Sequence, residues 1–455
     1  MTEEQWPSPR QAWYAVGIFA LALMMNFLDR GIVSLLVQPI KRDLFLSDFQ
    51  ISLINGFAFS MMSLAVGLPI ARMADVASRR LIIGCGIAAW SGATALCGLA
   101  QNFWQLFAAR GGVGIGEACN GPATFSMISD LFPPRKLPRA IAVLNFGFIA
   151  GNGLALLIGG LVIHYLAALP PIDLPVVGEL RDWQMVFVAV GLPGLLVAAL
   201  MATVPEPKRR GLRPAAVGEA QSLPKSIPVM DVVRFLIDNR RAYAPMYLGL
   251  GANTVLAFGN GFWYPAFFER TYGWGPAQFA LIFGVVIIAG GPVALILGSR
   301  LAEWYAKKGY HDANLRVTMI AAILHTPGAI AIPFMPTPEL AMALVGFNFC
   351  AALLSPGPQN AALQIITPNQ MRGQVTWLYL LVFNVVGFGL GSTFVATITN
   401  FVIGDESQLR YSLALASAIM GPLAAFIFWK GLKPYAESVR RAEQAFVGAA
   451  PAVGR

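Results

Sequence analysis

The sequence predicts an all-α polytopic membrane protein of twelve transmembrane helices in two six-helix halves. Three observations carry this reading. Of 455 residues, 56% are hydrophobic and only 12% are charged, whereas a soluble domain carries roughly 25% charged residues. The apolar residues gather in twelve segments, each near the ~20 residues needed to cross a bilayer. A ten-residue string recurs at the same place in each half of the chain.

The segments lie near 13–37, 50–73, 81–101, 103–129, 138–166, 183–204, 242–268, 277–304, 315–335, 338–366, 374–402 and 409–429. Charges sort by side. The even-to-odd loops carry Arg79-Arg80, Arg135-Lys136 with Arg139, Lys208-Arg209-Arg210 with Arg213, and Lys307-Lys308. The odd-to-even loops carry few bases, chiefly Lys41-Arg42, Arg181, Arg270 and Arg410, offset by Asp43, Asp173, Glu179 and Asp405. The positive-inside rule then makes the N-terminus, the even loops and the C-terminus cytoplasmic, in an inner or plasma membrane. The net charge of +9 is thus a topology signal, and no nucleic-acid partner is implied. Glu3 and Glu4 do not suit a signal peptide, so the first apolar segment is expected to stay in the mature protein.

The longest loop, 205–240, holds Pro205, Pro207, Pro214, Pro224 and Pro228. It divides the chain into an N-terminal half (1–204), a cytoplasmic linker (205–240), a C-terminal half (241–430) and a cytoplasmic tail (431–455). Met230–Ile237 and Tyr435–Val447 space their apolar residues as interfacial helices do; a solvated linker and tail is the plain alternative. Cys85, Cys97, Cys119 and Cys350 lie in apolar stretches without metal-ligand spacing and read as small buried hydrophobes. Neither a cofactor nor a metal is expected. The Gly112-x-Gly114-x-Gly116 run follows no strand, so close helix packing explains it better than a nucleotide loop. Gly147, Gly151, Ala155, Gly159 and Gly160 form a small-residue stripe in span 5, also read as packing. His325 reads as structural; His164 and His311 lie at span ends.

After span 2 stands Ala71-Arg-Met-Ala-Asp75-Val-Ala-Ser-Arg79-Arg80, and after span 8 stands Ser299-Arg-Leu-Ala-Glu303-Trp-Tyr-Ala-Lys307-Lys308. The two align without gaps. Such duplication is the architecture of a rocking secondary transporter. Asp75, Arg79 and Arg80, echoed by Glu303, Lys307 and Lys308, are therefore candidate cytoplasmic gate residues. The acid caps one helix end, and the bases can reach a neighbouring helix or the opposite half.

These features resemble the major facilitator superfamily. The first loop string is similar to that family's Gly-x-Leu-Ala-Asp-Arg-x-Gly-Arg-Arg, with Ala71 and Ser78 for glycines and Val76 for arginine. Arg181-Asp-Trp183 to Phe187, with Gly191-Leu-Pro193-Gly194, resembles the family's entry into span 6. Asn26-Phe-Leu-Asp29-Arg30 in span 1, and Arg110 to Ala118 in span 4, resemble strings of the Spinster branch. Relatives there include exporters of sphingosine-1-phosphate and lysosomal carriers of lysophospholipids. The resemblance implies a major facilitator fold with spans 1, 4, 7 and 10 lining a central cavity.

Ionisable groups inside membrane helices are costly and default to a functional reading. Strong charges well inside spans occur here in spans 1 and 4: Asp29, Arg30, Arg110 and Glu117. Arg110 and Glu117 are seven residues apart, on one helix face and ~10 Å apart along the axis. Either Arg30 with Glu117 or Asp29 with Arg110 makes a sensible pair, and competition between the two is a charge switch. Asp29 and Glu117 are the candidate proton-coupling acids. Arg30 and Arg110 are candidate contacts for a phosphate or carboxylate, because a guanidinium binds either through two bonds. A fixed structural network of these four is the alternative.

The second half offers polar and aromatic cavity candidates instead: Asn253, Phe258, Asn260 and Tyr264 in span 7, Asn348 and Ser355 in span 10, and Trp377 and Asn384 in span 11. Asn26 joins them from span 1. For any one of these polar groups an ordinary interhelical hydrogen bond is the favoured reading over substrate contact. A cavity charged on one side and apolar-aromatic on the other suits an amphipathic substrate. The expected function is a proton-coupled secondary active transporter of a lysolipid-like molecule working by alternating access, not an enzyme. Its expected partners are membrane lipids, the small substrate and protons, with the protein a monomer. A carrier of small organic anions is the first rival, and a non-transporting receptor on the same fold the second.

Overall fold

A computed structural model of the chain describes residues 6–133, 136–166, 168, 172–174, 178–207, 209, 228–368 and 370–449. Among them, helical stretches follow all twelve apolar segments. They are α1 (Pro9–Leu35), α2 (48–76), α3 (Arg79–Cys97), α4 (103–131), α5 (Leu137–Leu166), α6 (Asp182–Met201), α7 (Arg240–Tyr272), α8 (Pro276–Lys307), α9 (Ala313–Phe334), α10 (Pro338–Ile366), α11 (Arg372–Ile403) and α12 (Leu409–Ala449). Nine of these are long and apolar enough to cross a membrane by length and composition, all but α4, α5 and α7. The shortfall has a cause in α4, which carries Arg110 and Glu117 and breaks at Cys119. In α7 the cause is polarity within the span itself, from Asn253, Asn260, its tyrosines and its glycines.

Helix starts coincide with capping side chains. Ser8, Ser78, Asn102 and Thr337 each accept a hydrogen bond from a backbone N–H in the first turn, and Ser47 with Gln50 completes a capping box ahead of α2. Such caps satisfy N–H groups that a helix leaves open. Gly273 between α7 and α8 and Gly309 after α8 have φ of +73° and +84°, backbone that L side chains avoid.

Three local departures from the sequence reading have physical causes. A two-stranded antiparallel ribbon, β1 (Ile172–Leu174) and β2 (Gly178–Leu180), stands between α5 and α6; Pro170, Pro171 and Pro175 prevent helix there. The segment 435–447 is no separate helix but the end of α12, which runs on through Pro422 and Pro434. Its Tyr435 and Val439 are buried in a core with Tyr243, Met246, Leu315 and Phe428, so this part of the tail is packed. Turns of π-helix interrupt α2 at Leu53–Ala58 and α11 at Phe383–Leu390 and Ile398–Ile403. The expected helix in the linker is present as Val229–Asp238.

The chain forms two compact units. The first comprises residues 1–222, 262–288 and 399–407, and the second 223–261, 289–398 and 408–455. Glycines set the packing inside the first. A Cβ on Gly114 would meet the Phe59 carbonyl of α2, and one on Gly116 would lie 2.5 Å from the Trp90 nitrogen and 2.8 Å from the Gly86 oxygen of α3. The glycine run of α4 is thus a close-packing device. On α5, Gly151 and Gly159 meet Met24, Leu28 and Ile32 of α1, while Gly153 and Gly160 meet α8. In the second unit, Gly259 and Gly391 bring α7 and α11 together.

Overpacking a tight core costs about 1–3 kcal/mol, more than the ~1 kcal/mol of helix propensity gained by replacing glycine with alanine. Gly116→Ala should therefore lower the melting temperature in detergent. Gly121→Ala, with nothing within 4 Å of the added carbon, should hold or raise it. A Gly116→Ala protein melting at or above wild type would refute this account of α4.

Candidate functional site

α1 and α4 bring the intramembrane charges together. Arg30 donates from both Nε and Nη2 to one oxygen of Glu117, Oε2, at 2.8 and 2.6 Å. The Glu117 side chain is 2% exposed and that of Arg30 is 24% exposed. Of the two pairings the sequence allows, this one is formed. Arg110 is fully buried, and its Nη1 donates to the backbone carbonyl of Asp29 at 3.3 Å. Asp29 is buried too, and no ion pair within 4 Å joins its carboxylate to a described base. Asn26 lies buried one turn away on α1.

Phe59 of α2, which the sequence reading missed, lies beneath both guanidiniums. Its ring centroid is 4.6 Å from Cζ of Arg30 and 6.0 Å from Cζ of Arg110. It is the first residue after the π-helical turn of α2, a feature frequent at functional sites. Nothing in the sequence sets it apart among thirty phenylalanines. Nε and Nη2 of Arg110 and Oε1 of Glu117 make no hydrogen bond with described residues. The cluster therefore combines one committed ion pair with buried donors that a carboxylate or phosphate matches.

The polar candidates of the second half divide. Asn260 donates to Ser417 of α12 at 2.8 Å. Ser355 bonds Gln359 at 3.1 Å, and Asn348 sits against Gly328 of α9. These three are held in helix packing. Tyr264 is buried and Asn253 half-buried. Phe258 meets Phe383 and Phe388 at 5.2 and 5.8 Å, edge to face, at the π-helical turn of α11. Asn384 belongs to that same turn, donating to the Leu380 carbonyl at 2.9 Å. Trp377 is exposed.

The two copies of the repeated string behave differently. Arg79 is 1% exposed and holds three segments together. It pairs with Asp130 of α4 and with Glu206 at 3.0 Å, and donates to Ser126 and to the Pro207 carbonyl. The Arg80 backbone N–H donates to Glu206 at 2.8 Å. Asp75 lies in α2, with its side chain outside the described residues. Glu303, Lys307 and Lys308 are exposed, form no ion pair with described residues, and include one cation–π contact, Lys308 on Trp304 at 3.5 Å. The bases of the first copy reach neighbouring helices of their own unit.

An unforeseen charge network occupies odd-to-even loops of the first unit. Asp48 is fully buried at the start of α2. It receives Arg270 from α7 on both oxygens at 2.7 Å and also pairs with Lys41. Lys41 pairs in turn with Glu406, which accepts the Asp48 backbone N–H at 2.7 Å and Asn400 at 3.0 Å. Segments 222 and 358 residues away thereby converge on Asp48, one at its carboxylate and the other at its backbone N–H.

Burial pushes the Glu206 carboxyl up, but the Arg80 N–H, the Ser78 hydroxyl and Arg79 outweigh it and hold the group below its ordinary pKa. A carboxylate so held contributes stability above its unfolded pKa and loses it as pH falls through the folded value. The melting-temperature difference between wild type and Glu206→Gln should be full at neutral pH and close as pH drops below about 4. A difference that persists undiminished well below that pH would contradict the Arg79–Glu206 linkage.

Known proteins extend this geometry. The sequence profile of the Major Facilitator Superfamily matches residues 19–392. An MFS-type efflux pump of Mycolicibacterium smegmatis is 27% identical over 95% of each chain. A probable L-galactonate transporter of Escherichia coli is 24% identical over 91% of this chain and 88% of its own. A sphingosine-1-phosphate transporter of Xenopus tropicalis is 27% identical over 65% of this chain, which spans 55% of that relative. A solved bacterial homolog of the human lysosomal transporter Spinster, inward-facing and unoccupied, superposes with a TM-score of 0.77 at 23% identity, over 96% of this chain and 99% of that one. The chain belongs to the Major Facilitator Superfamily and is a multi-pass membrane transporter of that family, not an enzyme.

Proposed function

We propose that the protein is a proton-coupled secondary transporter of Spinster type that moves an amphipathic molecule with an anionic or zwitterionic head by alternating access. The observation that carries this reading is the buried set of two acids and two bases on α1 and α4, with Arg30 on Glu117 and unpartnered donors on Arg110. The set is neutral when all four are charged. Admitting one anion leaves it at minus one, which a buried site tolerates poorly. Taking up one proton restores neutrality, so anion entry and protonation favour each other. Asp29 is the coupling acid because Glu117 is already engaged. Arg30 and Arg110 are the head-group residues of this reading, and Phe258 and Trp377 its tail residues. The protein works as a monomer in the cell membrane with both termini cytoplasmic, on the strength of the bases in its even loops.

Rocking transporters open one side while closing the other. The repeated loop residues Asp75, Arg79 and Arg80, echoed by Glu303, Lys307 and Lys308, are the gate in this reading. Small organic anions are the second reading, favoured by the similarity to a transporter named for L-galactonate.

Flux into proteoliposomes under an imposed pH gradient, with lysophospholipids and hexonates as the two substrate classes, separates the readings. Asp29→Asn should abolish gradient-driven uptake while leaving the melting temperature within a few degrees of wild type; transport at the wild-type rate with unchanged pH dependence would refute the assignment. Each buried methylene adds ~0.8 kcal/mol, so affinity should climb about threefold to fourfold per methylene at constant head group. Phe258→Ser should flatten that slope more than it alters head-group preference. A flat series in the wild type would promote the small-anion reading.

A further inference from the structure

We propose that the crevice between α9 and α12 in the second unit is a binding site for an anionic phospholipid of the surrounding membrane, separate from the transported substrate. The exposed face of α12 carries Ile419, Leu423, Phe426 and Trp429, spaced by three or four residues and so aligned along one side of the helix. On the same side the next residues are Lys430 and Lys433, both exposed. The face turns from apolar to cationic within about one helical turn, as a phospholipid does from acyl chain to phosphate. Lys430 holds its ammonium 5.1 Å from the Trp429 ring and 5.6 Å from that of Phe426. Tryptophan at this place marks the head-group level of a membrane helix.

The cations stand around a pocket of about 530 Å³ that α9 closes with Asp312 and Arg316. Asp312 is occupied by Arg316 at 2.7 and 3.2 Å, so it does not neutralise the lysines. Neither Lys430 nor Lys433 makes an ion pair with a described carboxylate. A second pocket, of about 670 Å³, follows along α12, with Arg240, Arg241, Arg440 and Arg441 against Asp238 and Glu437. None of these four arginines is ion-paired to a described acid either. The excess of positive charge therefore continues outward from the lysines. Basic pockets between membrane helices and basic clusters beside a span attract anionic head groups, at a strength of order 1 kcal/mol per base.

Native mass spectrometry of the full chain in detergent, titrated with phosphatidylglycerol or phosphatidylcholine of equal chain length, tests the site. Wild type should retain phosphatidylglycerol preferentially, and Lys430→Gln/Lys433→Gln should reduce that preference about thirtyfold. Lys430→Arg/Lys433→Arg should keep it. Lys136→Gln/Arg139→Gln, which removes as much charge from an exposed even-to-odd loop, should keep it as well. The melting temperature of each variant in phosphatidylcholine alone establishes that it folds. Unchanged preference in the lysine-to-glutamine variant overturns the proposal, as does equal loss in the loop variant. Inorganic phosphate that displaces the lipid at millimolar concentration would instead make this a phosphate site and likewise overturn it.

Discussion

The centre of the first unit depends on one constraint: charges removed from water must be balanced where they stand. An unpaired charge in a membrane interior costs several kcal/mol. The chain meets this with two acids and two bases on two helices, joined through Arg30 and Glu117. The glycines between Arg110 and Glu117 admit Phe59 of α2 and Trp90 of α3 against the α4 backbone and so pack the helices that surround the pair. The same packing puts the Phe59 ring under both guanidiniums. Packing and charge are therefore one arrangement here. The glycine run and the four charged residues have to be read together.

The twelve helices and the set of four intramembrane charges were legible in the sequence for a physical reason, though not which of the two pairings forms. A bilayer imposes length and apolarity on each span, and a charge inside one stands out against that background. Capped helix starts at Ser8, Ser78 and Asn102 follow local rules as well. Phe59 was not legible because an aromatic in a membrane helix has no contrast. The π-helical turns that shift the register of α2 and α11 also leave no sequence pattern. The Asp48 network escaped because its members are a few loop charges separated by hundreds of residues. Asn260, Asn348 and Ser355 were visible as polar residues in spans, but only coordinates show that Asn260 is bonded to α12, that Ser355 is bonded within its own helix, and that Asn348 is packed against Gly328.

The repeated string shows how an accurate sequence observation can stop short of structure. Arg79 and Lys307 align, yet one is buried in a web of partners and the other exposed. The explanation lies outside the string. At the repeat spacing of 228 residues, the positions of Asp130 and Glu206 are taken by Pro358 and Pro434. Without the two acids the second copy has nothing to draw its bases inward. The duplication thus preserved the donors and not the acceptors, and the two halves have diverged at the level of partners while keeping the same pattern of bases.

A similar distinction applies to the charge count that orients the chain. Bases in odd-to-even loops are few, and the structure adds that they are largely neutralised. Lys41 and Arg270 share Asp48, Arg181 faces Asp43 at 3.6 Å, and Arg42 faces Glu269 at 3.7 Å. At the other ends of the spans, Lys307, Lys430, Lys433, Arg440 and Arg441 have no carboxylate of that kind among the described residues. A base paired with an acid presents a dipole, whose field fades within a few ångströms, whereas an unpaired base acts over the Debye length of about 8 Å. Pairing also occurs at those other ends, where Asp130 and Glu206 hold Arg79 and Asp312 holds Arg316, so the unpaired bases there are only part of the set. Pairing lets the odd-to-even loops use strong charges to hold distant segments of the chain together.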